Sequence, residues 1–595
     1  TQEKRAEVVE ELKNTREFAI DTETSGLNPH FAELVGISIS LKPHQGYYIP
    51  AGKTKEQTQL ILNELKPALE NDKIEKVGQN IKYDLQVLRN AGAELKGSIL
   101  DTMIAHYLLE PELRHGLDYL AKIYLNYAPL SIESLIGKKG KNQGNMQNLD
   151  PAEITDYACE DSDITLQLKT IFKPELKKNQ YTSLYENVEA PLIRVLADME
   201  YEGVKIDVQR LKDYSKELEK ELRQLEKEIH EMSGTQFNIN SPKQLGEVLF
   251  EQLKIDTKAR KTQKSKQYST SEEVLTRLAQ EHDIAQKVLD YRSVQKLKST
   301  YVDALPDLVN SNTGRIHTSY QQAVTATGRL SSTDPNLQNI PIRTEKGRYI
   351  RQAFIPTNED FTILSADYSQ IELRLVADIS KDDDMVRAFT EGQDIHTSTA
   401  AKIYKVALDQ VTSEMRRQAK TVNFGIVYGI SAYGLSQRLN ISRKEASTLI
   451  ENYFEEFPKI RGYMDEQINF ARKYGYVKTL LGRKRHLRDI NSNNSTQRGF
   501  AERNAINTPI QGTAADMIKV AMVNIHQAMQ AHQFNSKMIL QIHDELIFDA
   551  QKDELEELKP FVEEQMLNAL TLDDKLLPFL KPDFFEFLTC YFVRR

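Results

Sequence analysis

Cysteine is almost missing from this chain, because only Cys159 and Cys590 occur among its 595 residues. Two cysteines cannot build a disulfide framework, nor a zinc site by themselves, so we expect a reducing, cytoplasmic compartment. An apolar stretch of about 18 residues, the length that a membrane-spanning helix needs, is also missing. The charged start, TQEKRAEVVEELK, lacks the apolar region of a secretory signal and has no initiator methionine. It indicates a processed or trimmed piece of a longer chain.

A net positive charge is also absent, since the formal net charge is −8. The distribution of charge matters more than its sum for binding a polyanion. Residues 471–488 contain seven Lys or Arg and no acid, and residues 257–271 contain five and no acid. Cations interleaved with Tyr and His are typical of phosphate-backbone binding, although solvated loops would have the same composition. Composition alone therefore does not decide whether these two stretches bind nucleic acid.

The order of predicted elements indicates an α/β domain followed by a larger α+β part. The length itself predicts roughly four domains. Strand-like runs at 17–20, 34–40 and 46–50 alternate with amphipathic helical stretches up to about residue 175. From Asp207, apolar residues recur every three or four positions, which predicts a long amphipathic helix. Later strands end at Asp367 and turn near Asp544, so one sheet is expected to bring these two aspartates together.

Acidic residues form a first candidate site in the α/β part. Asp21 and Glu23 are two positions apart on a predicted strand and therefore share a face. Tyr157 and Asp161 are one turn apart on a predicted helix, and Asp84 lies in GQNIKYD. Four carboxylates and a tyrosine could form a two-metal site that activates water and clamps a phosphate. Solvated surface acids are the alternative for each residue alone.

Two aspartates form a second candidate site. Asp367 follows a strand in LSADYSQIELR, and Asp544 lies in QIHDE. Brought together on a sheet, they could hold two Mg²⁺ ions across an α-phosphate, activating a hydroxyl and stabilising pyrophosphate as it leaves. Carboxylates and water suit Mg²⁺ and not a metal that prefers thiolates.

A row of four side chains offers a partner for these aspartates. Arg416, Lys420, Phe424 and Tyr428 recur every four residues, which places them along one face of a helix. Two cations suit a polyphosphate, and an aromatic ring suits a base or sugar. An amphipathic helix with solvated cations and core aromatics would show the same spacing.

The motifs together carry a resemblance to two enzyme families. Asp21-x-Glu23, Asn80-x3-Asp84 and Tyr157-x3-Asp161 resemble the proofreading 3′→5′ exonucleases that use four acids and a tyrosine, and Gln79, Lys82 and Tyr83 fit their second motif. Five further segments resemble, in order, the motifs of family A DNA polymerases: TATGRLSSTDPNLQNIP (325–341), LSADYSQIELR (364–374), RRQAKTVNFGIVYG (416–429), NTPIQGTAAD (507–516) and QIHDE (541–545). The resemblance extends from about residue 15 to about residue 570.

The resemblance implies a fold and its boundaries. We expect a ribonuclease H-like α/β 3′-5′ exonuclease domain at 1–178 and an α+β right-hand polymerase domain at 179–595. Within the second domain it implies a thumb at about 200–305, a palm at about 306–384 and 498–595, and fingers at about 385–497.

The resemblance also implies residue roles. Catalytic roles fall on Asp367, Asp544, Glu545, Lys420, Asp21, Glu23, Asp84, Tyr157 and Asp161. Metal ligands are Asp367, the Tyr368 carbonyl, Asp544, Asp21, Glu23, Asp84 and Asp161. Nucleotide contacts are Arg416, Lys420, Phe424, Tyr428, Gln370, His396 and Glu372, the last as a steric gate against a 2′-hydroxyl. DNA contacts are Arg329, Arg503, Asn507, Gln511, His543 and Lys298.

The implied activity is template-directed DNA synthesis with proofreading. It requires Mg²⁺, two ions per active site with Mn²⁺ able to substitute, primer-template DNA and deoxynucleoside triphosphates. We expect a monomer in the cytoplasm at the nucleoid, or a phage or organelle equivalent, with no membrane and no 5′ nuclease in this chain. The alternatives are a single-subunit RNA polymerase relative and an inactive DNA-binding homologue. Residues 576–595 do not resemble the family's ending, which carries a tryptophan, and this chain has none.

Phe424 generates a first prediction, because some relatives carry tyrosine there. Phe424→Tyr should raise the incorporation of dideoxynucleotides relative to deoxynucleotides. Chain-termination ratios on a primed template measure this. Ratios equal to those of the wild type would contradict the assignment of Phe424.

Overall fold

The computed structural model describes residues 2–262, 266–341 and 344–570, and the backbone of 582–587. The described residues form two compact units. One contains Thr1–Glu202, Tyr320–Thr333 and Leu364–Phe585, and the other contains Gly203–Ser319 and Asp334–Ile363. The first unit therefore continues past the predicted domain boundary at residue 178, although a long helix does end there.

The first 202 residues fold around a mixed five-stranded sheet of order β3-β2-β1-β4-β5. β1 is antiparallel to β2 and parallel to β4. The elements are α1 Gln2–Lys13, β1 Glu17–Thr24, β2 Leu34–Lys42, β3 Gln45–Pro50, α2 Lys55–Leu69, β4 Glu75–Gly78, α3 Lys82–Asn90, β5 Ile99–Asp101, α4 Thr102–Leu109, α5 Leu117–Leu120, α6 Ile132–Ile136, α7 Pro151–Lys178, α8 Thr182–Leu184 and α9 Ala190–Glu202, with π-helical turns at Ala121–Leu125 and Tyr185–Glu189.

Local sequence explains where these elements begin. The three predicted strands are present as β1, β2 and β3, and β1 runs four residues further than predicted, to Thr24. Asp150 caps α7 through a capping box with Glu153, and Pro151 occupies its first turn. This long helix packs on β1, β2 and β3, and it carries Tyr157 and Asp161 towards the sheet.

Residues 203–363 are mainly helical. The predicted amphipathic helix is α10, which Asp207 caps and Gly234 ends with a φ of 69°. Its buried face consists of Leu211, Tyr214, Leu218, Leu222, Leu225 and Ile229. The elements are β6 Lys205–Ile206, α10 Val208–Ser233, α11 Pro242–Gly246, α12 Glu272–Leu278, α13 Asp283–Leu297, α14 Ala304–Asp307, β7 Ser319–Gln321, β8 Ser331–Thr333, α15 Glu345–Arg351 and β9 Phe354–Ile355, with π-helical turns at Glu247–Gln252 and Lys298–Val302. The basic stretch 257–271 is only partly described, because residues 263–265 lie outside the described ranges.

The remaining residues build a four-stranded sheet of order β13-β14-β10-β15 and a series of helices. The elements are β10 Phe361–Tyr368, α16 Ile371–Ser380, α17 Asp383–Thr390, α18 Ile395–Tyr404, α19 Ser413–Val427, α20 Ala432–Leu439, α21 Arg443–Glu456, α22 Pro458–Tyr474, β11 Tyr476–Lys478, β12 Lys484–His486, α23 Ser495–Ala531, β13 Lys537–Ile542, β14 Glu545–Gln551, α24 Leu555–Leu567 and β15 Pro582–Phe587. Both predicted strand segments are confirmed. The atypical tail 576–595 lies outside the described residues except for the backbone of β15.

A buried charged cluster lies inside the first unit. Glu189, at the end of a π-helical turn, accepts hydrogen bonds from Arg483 and, at 2.8 Å, from Lys519. Arg483 also donates to Asp516 at 2.8 Å, and Gln322 donates to Glu189 at 2.8 Å. Burial would raise the pKa of Glu189, but Lys519 and Arg483 outweigh burial and lower it to about 2. The cluster joins the α/β part to α23 and to the residue just before β12.

We predict that Glu189→Gln lowers the free energy of unfolding by about 3–5 kcal/mol, because it removes the anion that pairs with buried Lys519 and one of the two that pair with Arg483. Urea unfolding measures this. The pKa of folded Glu189 lies below its usual 4.5, so its contribution is present above pH 4.5 and is lost as the pH falls towards 2. The difference between wild type and variant should shrink over that window.

The matched control is Glu175→Gln, which removes an exposed pair with Lys178. That change should cost less than about 1 kcal/mol. An equal loss from both variants would contradict the role of the buried cluster.

Candidate active sites

Three acids converge at the sheet of the first 202 residues. Asp21 and Glu23 lie on β1, and Asp161 lies on the facing α7. One carboxylate oxygen from each lies within 4.8 Å of the others. Glu23 is 6% exposed, and its Oε1 atom has no hydrogen-bond partner. A buried, unpartnered carboxylate oxygen beside two more carboxylates is what a divalent cation fits.

Asp84, the fourth predicted acid, lies beside this group. It is 2% exposed, and its Oδ1 atom accepts hydrogen bonds from the Thr22 backbone N (2.9 Å) and from the Thr22 hydroxyl (2.6 Å). Thr22 lies between Asp21 and Glu23 on β1. The structure thus brings three of the four predicted acids within 4.8 Å of one another and places the fourth against the same strand.

The electrostatics of these acids favour a cation. Burial first, and then mutual repulsion, raises the pKa of Glu23 to about 8 and that of Asp21 well above its usual range. Burial likewise raises the pKa of Asp84 and of Asp161 to about 7. Carboxylates in this state need an opposing positive charge to remain ionised together.

Two tyrosines lie beside the acids, and an exposed leucine follows in the loop after β1. The Tyr157 hydroxyl hydrogen-bonds to Asp161, which orients it at the acids. The Tyr83 hydroxyl donates to the Gly26 carbonyl and lies 2.7 Å from the Thr24 hydroxyl. Leu27 follows in the same loop and is 93% exposed. Sequence reasoning missed Leu27, although an apolar residue three positions beyond the end of an acidic strand was a visible signal.

The segments that carry the second pair of acids lie side by side at the four-stranded sheet. Asp367 lies on β10, and Asp544 lies in the turn between the antiparallel strands β13 and β14. The Tyr368 backbone N donates to the Asp544 carbonyl at 3.2 Å, which holds the two segments side by side. The Tyr368 side chain is buried and its hydroxyl donates to the Met566 carbonyl at 2.6 Å. Glu545 accepts a hydrogen bond from the Ser365 hydroxyl and therefore faces the sheet.

Glu372, at the start of α16, is held from both sides. Its Oε1 atom accepts from Arg329 at 2.6 Å, and its Oε2 atom accepts from the Tyr428 hydroxyl at 2.6 Å. Burial, together with nearby Asp544, raises the pKa of Glu372. Gln370 turns the chain between β10 and α16 with a φ of 55°. This carboxylate is thus fixed in one orientation near Asp544.

The cationic row lies on α19, with one correction. The helix ends at Val427, so Tyr428 is the first residue beyond it and not its fourth helical member. Arg416 makes two hydrogen bonds to Asp394, at 3.0 and 2.7 Å, whereas Lys420 is exposed. The Phe424 ring lies 5.7 Å from that of buried His396, whose pKa burial lowers to about 4. Of the two cations in the row, Arg416 is paired with an acid and Lys420 is exposed to solvent.

Four of the six predicted DNA contacts lie on α23 or in the turn between β13 and β14. Arg503, Asn507 and Gln511 lie along α23, and His543 is exposed in the turn before Asp544. A cleft of about 400 Å³ is lined by Arg503, Tyr428, Gly425, Gly429, Ile430, Ser431, Gly434 and Arg438.

Lys298, also predicted to contact DNA, is paired with two acids. Its ammonium group lies 2.8 Å from Asp303 and 3.5 Å from Glu219, and its side chain is only 16% exposed. Two acids already neutralise it, so the structure gives no support to a phosphate contact by Lys298. Spacing in the sequence could not reveal this, because Glu219 is far away along the chain.

Across the described ranges, no helix combines the length and the apolar composition that spanning a lipid bilayer requires.

Comparisons with known proteins agree with this geometry. Residues 208–577 match the model of DNA polymerase family A, and residues 1–177 match that of a 3′-5′ exonuclease. DNA polymerase I of Chloroflexus aurantiacus is 45% identical over 560 residues, covering 93% of this chain and 59% of that protein. DNA polymerase I of Bacillus subtilis is 44% identical over 556 residues, covering 93% and 62%. The chain therefore spans about three fifths of the length of these curated relatives.

A solved structure is similar over almost the whole chain. The polymerase domain of Pol1 from M. smegmatis, in complex with DNA primer-template and dNTP, has a TM-score of 0.87 and 35% identity. The similarity covers 98% of both chains.

The acid cluster predicts a measurable metal site. Asp161→Asn should weaken Mn²⁺ binding at this cluster by about tenfold or more, because it removes one of three converging carboxylates. Electron paramagnetic resonance of free Mn²⁺ measures the affinity. Asp156→Asn, an exposed acid on the same helix, is the control. Equal affinity in the Asp161 variant and the wild type would exclude Asp161 as a ligand.

Proposed function

Because the chain belongs to DNA polymerase family A, we propose that it is a template-directed DNA polymerase with a proofreading 3′-5′ exonuclease. It adds deoxynucleotides to a primer 3′ end and removes mismatched ends at a separate site. The observation that carries this proposal is the meeting of Asp367 with the Asp544 turn, beside a Glu372 held by Arg329 and Tyr428. Primer-template DNA and deoxynucleoside triphosphates are its substrates.

The polymerase site would hold two Mg²⁺ ions, with Mn²⁺ able to substitute. Asp367, Asp544 and the Tyr368 carbonyl are the ligands in this proposal; their oxygens are the type that Mg²⁺ prefers. When bound, the ions lower the pKa of the primer hydroxyl and neutralise charge on the phosphates. Glu545 supports the site from the sheet through its bond with Ser365.

Cations on α19 bind the triphosphate in this proposal. Lys420 is exposed, and in this proposal it contacts a phosphate directly and donates a proton to pyrophosphate. Arg416 must first leave Asp394, so an incoming phosphate exchanges one anionic partner for another. Phe424 packs against the sugar, with His396 behind it at a ring distance of 5.7 Å.

Glu372 excludes ribonucleotides by its fixed position. Both carboxylate oxygens already accept a hydrogen bond, one from Arg329 and one from Tyr428. The side chain therefore cannot rotate away to admit a 2′-hydroxyl without losing one of these bonds. Arg503, Asn507, Gln511 and His543 contact the template or the primer terminus, where minor-groove acceptors occupy similar places in every correct pair.

The exonuclease site works by the same chemistry with water as the nucleophile. Asp21, Glu23 and Asp161, with Asp84 beside them, would hold divalent cations, and the Tyr157 hydroxyl would orient the attacking water. The exposed Leu27 offers an apolar surface against which the terminal base can pack.

A single-subunit RNA polymerase is not favoured. The family that the chain matches is one of DNA polymerases. Residues 1–177 match a 3′-5′ exonuclease family, and such a domain suits the proofreading of DNA. A bacterial cytoplasm and a monomeric state remain part of the proposal, the former because the similar polymerases are bacterial.

Primer extension with matched and mismatched 3′ ends tests both activities. Asp544→Ala should lower the extension rate by about a thousandfold or more, because the metal pair loses a ligand. Asp21→Ala should abolish removal of the mismatched end and leave extension intact. Asp553→Ala, an exposed acid just beyond β14, is the control. Extension by Asp544→Ala at the wild-type rate would refute the polymerase site, and continued primer degradation by Asp21→Ala would refute the exonuclease site.

A further inference from the structure

A line of buried side chains connects the two candidate sites within the first unit. Lys82 lies two residues before Asp84, and its ammonium group donates to Glu200 and to the Tyr320 backbone carbonyl. The Tyr320 backbone N donates to the same Glu200 carboxylate at 2.6 Å. Lys82, Glu200 and Tyr320 are 9%, 3% and 1% exposed, so water does not compete for these bonds.

The Tyr320 hydroxyl continues the line to the polymerase hairpin. It accepts from the Gln541 backbone N at 2.9 Å and donates to the Gln541 carbonyl at 3.2 Å. Among the described strands, β13 lies at one end of its sheet, and the backbone N and O atoms of Gln541 bond to Tyr320 there. The Tyr320 hydroxyl is both donor and acceptor, so it can bond to both backbone groups of Gln541.

Gln541 connects Tyr320 to the turn that carries Asp544. Its side-chain amide donates to the His543 carbonyl, immediately before Asp544. Gln541 also pairs with Leu546, and Ile542 pairs with Glu545, across the hairpin. A shift of β13 at Gln541 would therefore move the turn and its aspartate.

We propose that Tyr320 is a positioning residue for the polymerase site, and that Lys82 of the exonuclease segment holds Tyr320 in place. The hydroxyl fixes the edge of β13 and thereby the position of Asp544. This inference rests on the proposed polymerase activity and adds that a residue of the exonuclease segment supports it. Neither side chain contacts substrate in this role.

Tyr320→Phe tests the proposal because it removes only the hydroxyl. We expect the polymerase rate constant kcat to fall by about tenfold, the effect of losing a bond that holds a reacting group. The Mg²⁺ concentration for half-maximal extension should rise several-fold, because Asp544 is displaced. Degradation of single-stranded DNA should change by less than about twofold, because the exonuclease acids keep their own contacts.

Tyr301→Phe is the matched control. Tyr301 is also buried, at 7% exposure, and its hydroxyl donates to a backbone carbonyl, that of Asn339, at 2.7 Å. It should leave the Mg²⁺ dependence unchanged. Exonuclease activity on single strands, measured in the same sample, reports the folded fraction, so extension rates are normalised to it and partial unfolding does not obscure the result.

A coupling measurement tests the part of Lys82. Lys82→Gln should lower extension in the wild-type background but add less than about twofold in the Tyr320→Phe background, because both act through one contact. Fully multiplicative effects would overturn the role of Lys82. An unchanged Mg²⁺ dependence in Tyr320→Phe would overturn the role of Tyr320. A wild-type protein that extends no primer would instead refute the proposed function.

Discussion

Carboxylates held close together and away from water repel one another, and this constraint governs the acid cluster on β1 and α7. Asp21, Glu23 and Asp161 approach within 4.8 Å in a buried setting. Burial and repulsion oppose their common ionisation, so the arrangement is stable as a charged site only beside a cation. The sheet and α7 supply the rigidity that keeps the acids there. Carboxylates that lie this close together, with raised pKa values, are typical of functional sites.

The other buried acids show the contrast. Glu189 accepts from Arg483, Lys519 and Gln322, and Glu200 accepts from Lys82, Gln86 and the Tyr320 backbone. Their oxygens are occupied by protein donors, which marks them as structural. Glu23 differs because its Oε1 atom has no donor. An unpartnered oxygen therefore distinguishes Glu23 from Glu189 and Glu200, although all three side chains are buried.

Local patterns predicted the elements and the faces of the site residues well. Alternation placed Asp21 and Glu23 on one face of β1, and the capping box located the start of α7. The pairing of Arg416 with Asp394 and of Lys298 with Glu219 could not be predicted, because each depends on the fold bringing distant segments together. The roles of single residues came from the family motifs, since spacing gives geometry and not chemistry.

The boundary expected at residue 178 falls at the end of α7, yet the residues that tie the first unit together follow it. Glu189, Asp198 and Glu200 all lie between α7 and the end of α9. The Asp198 Oδ1 atom accepts a hydrogen bond from Arg89 on α3 at 2.7 Å. Its Oδ2 atom lies 2.7 Å from the His526 Nε2 atom on α23. Each of these acids thus binds a cation from the exonuclease segment, from the polymerase part, or from both. The pairs of Glu189 and Glu200 are buried and therefore costly to break, so α9 and the turn before it are a shared support for both parts of the first unit.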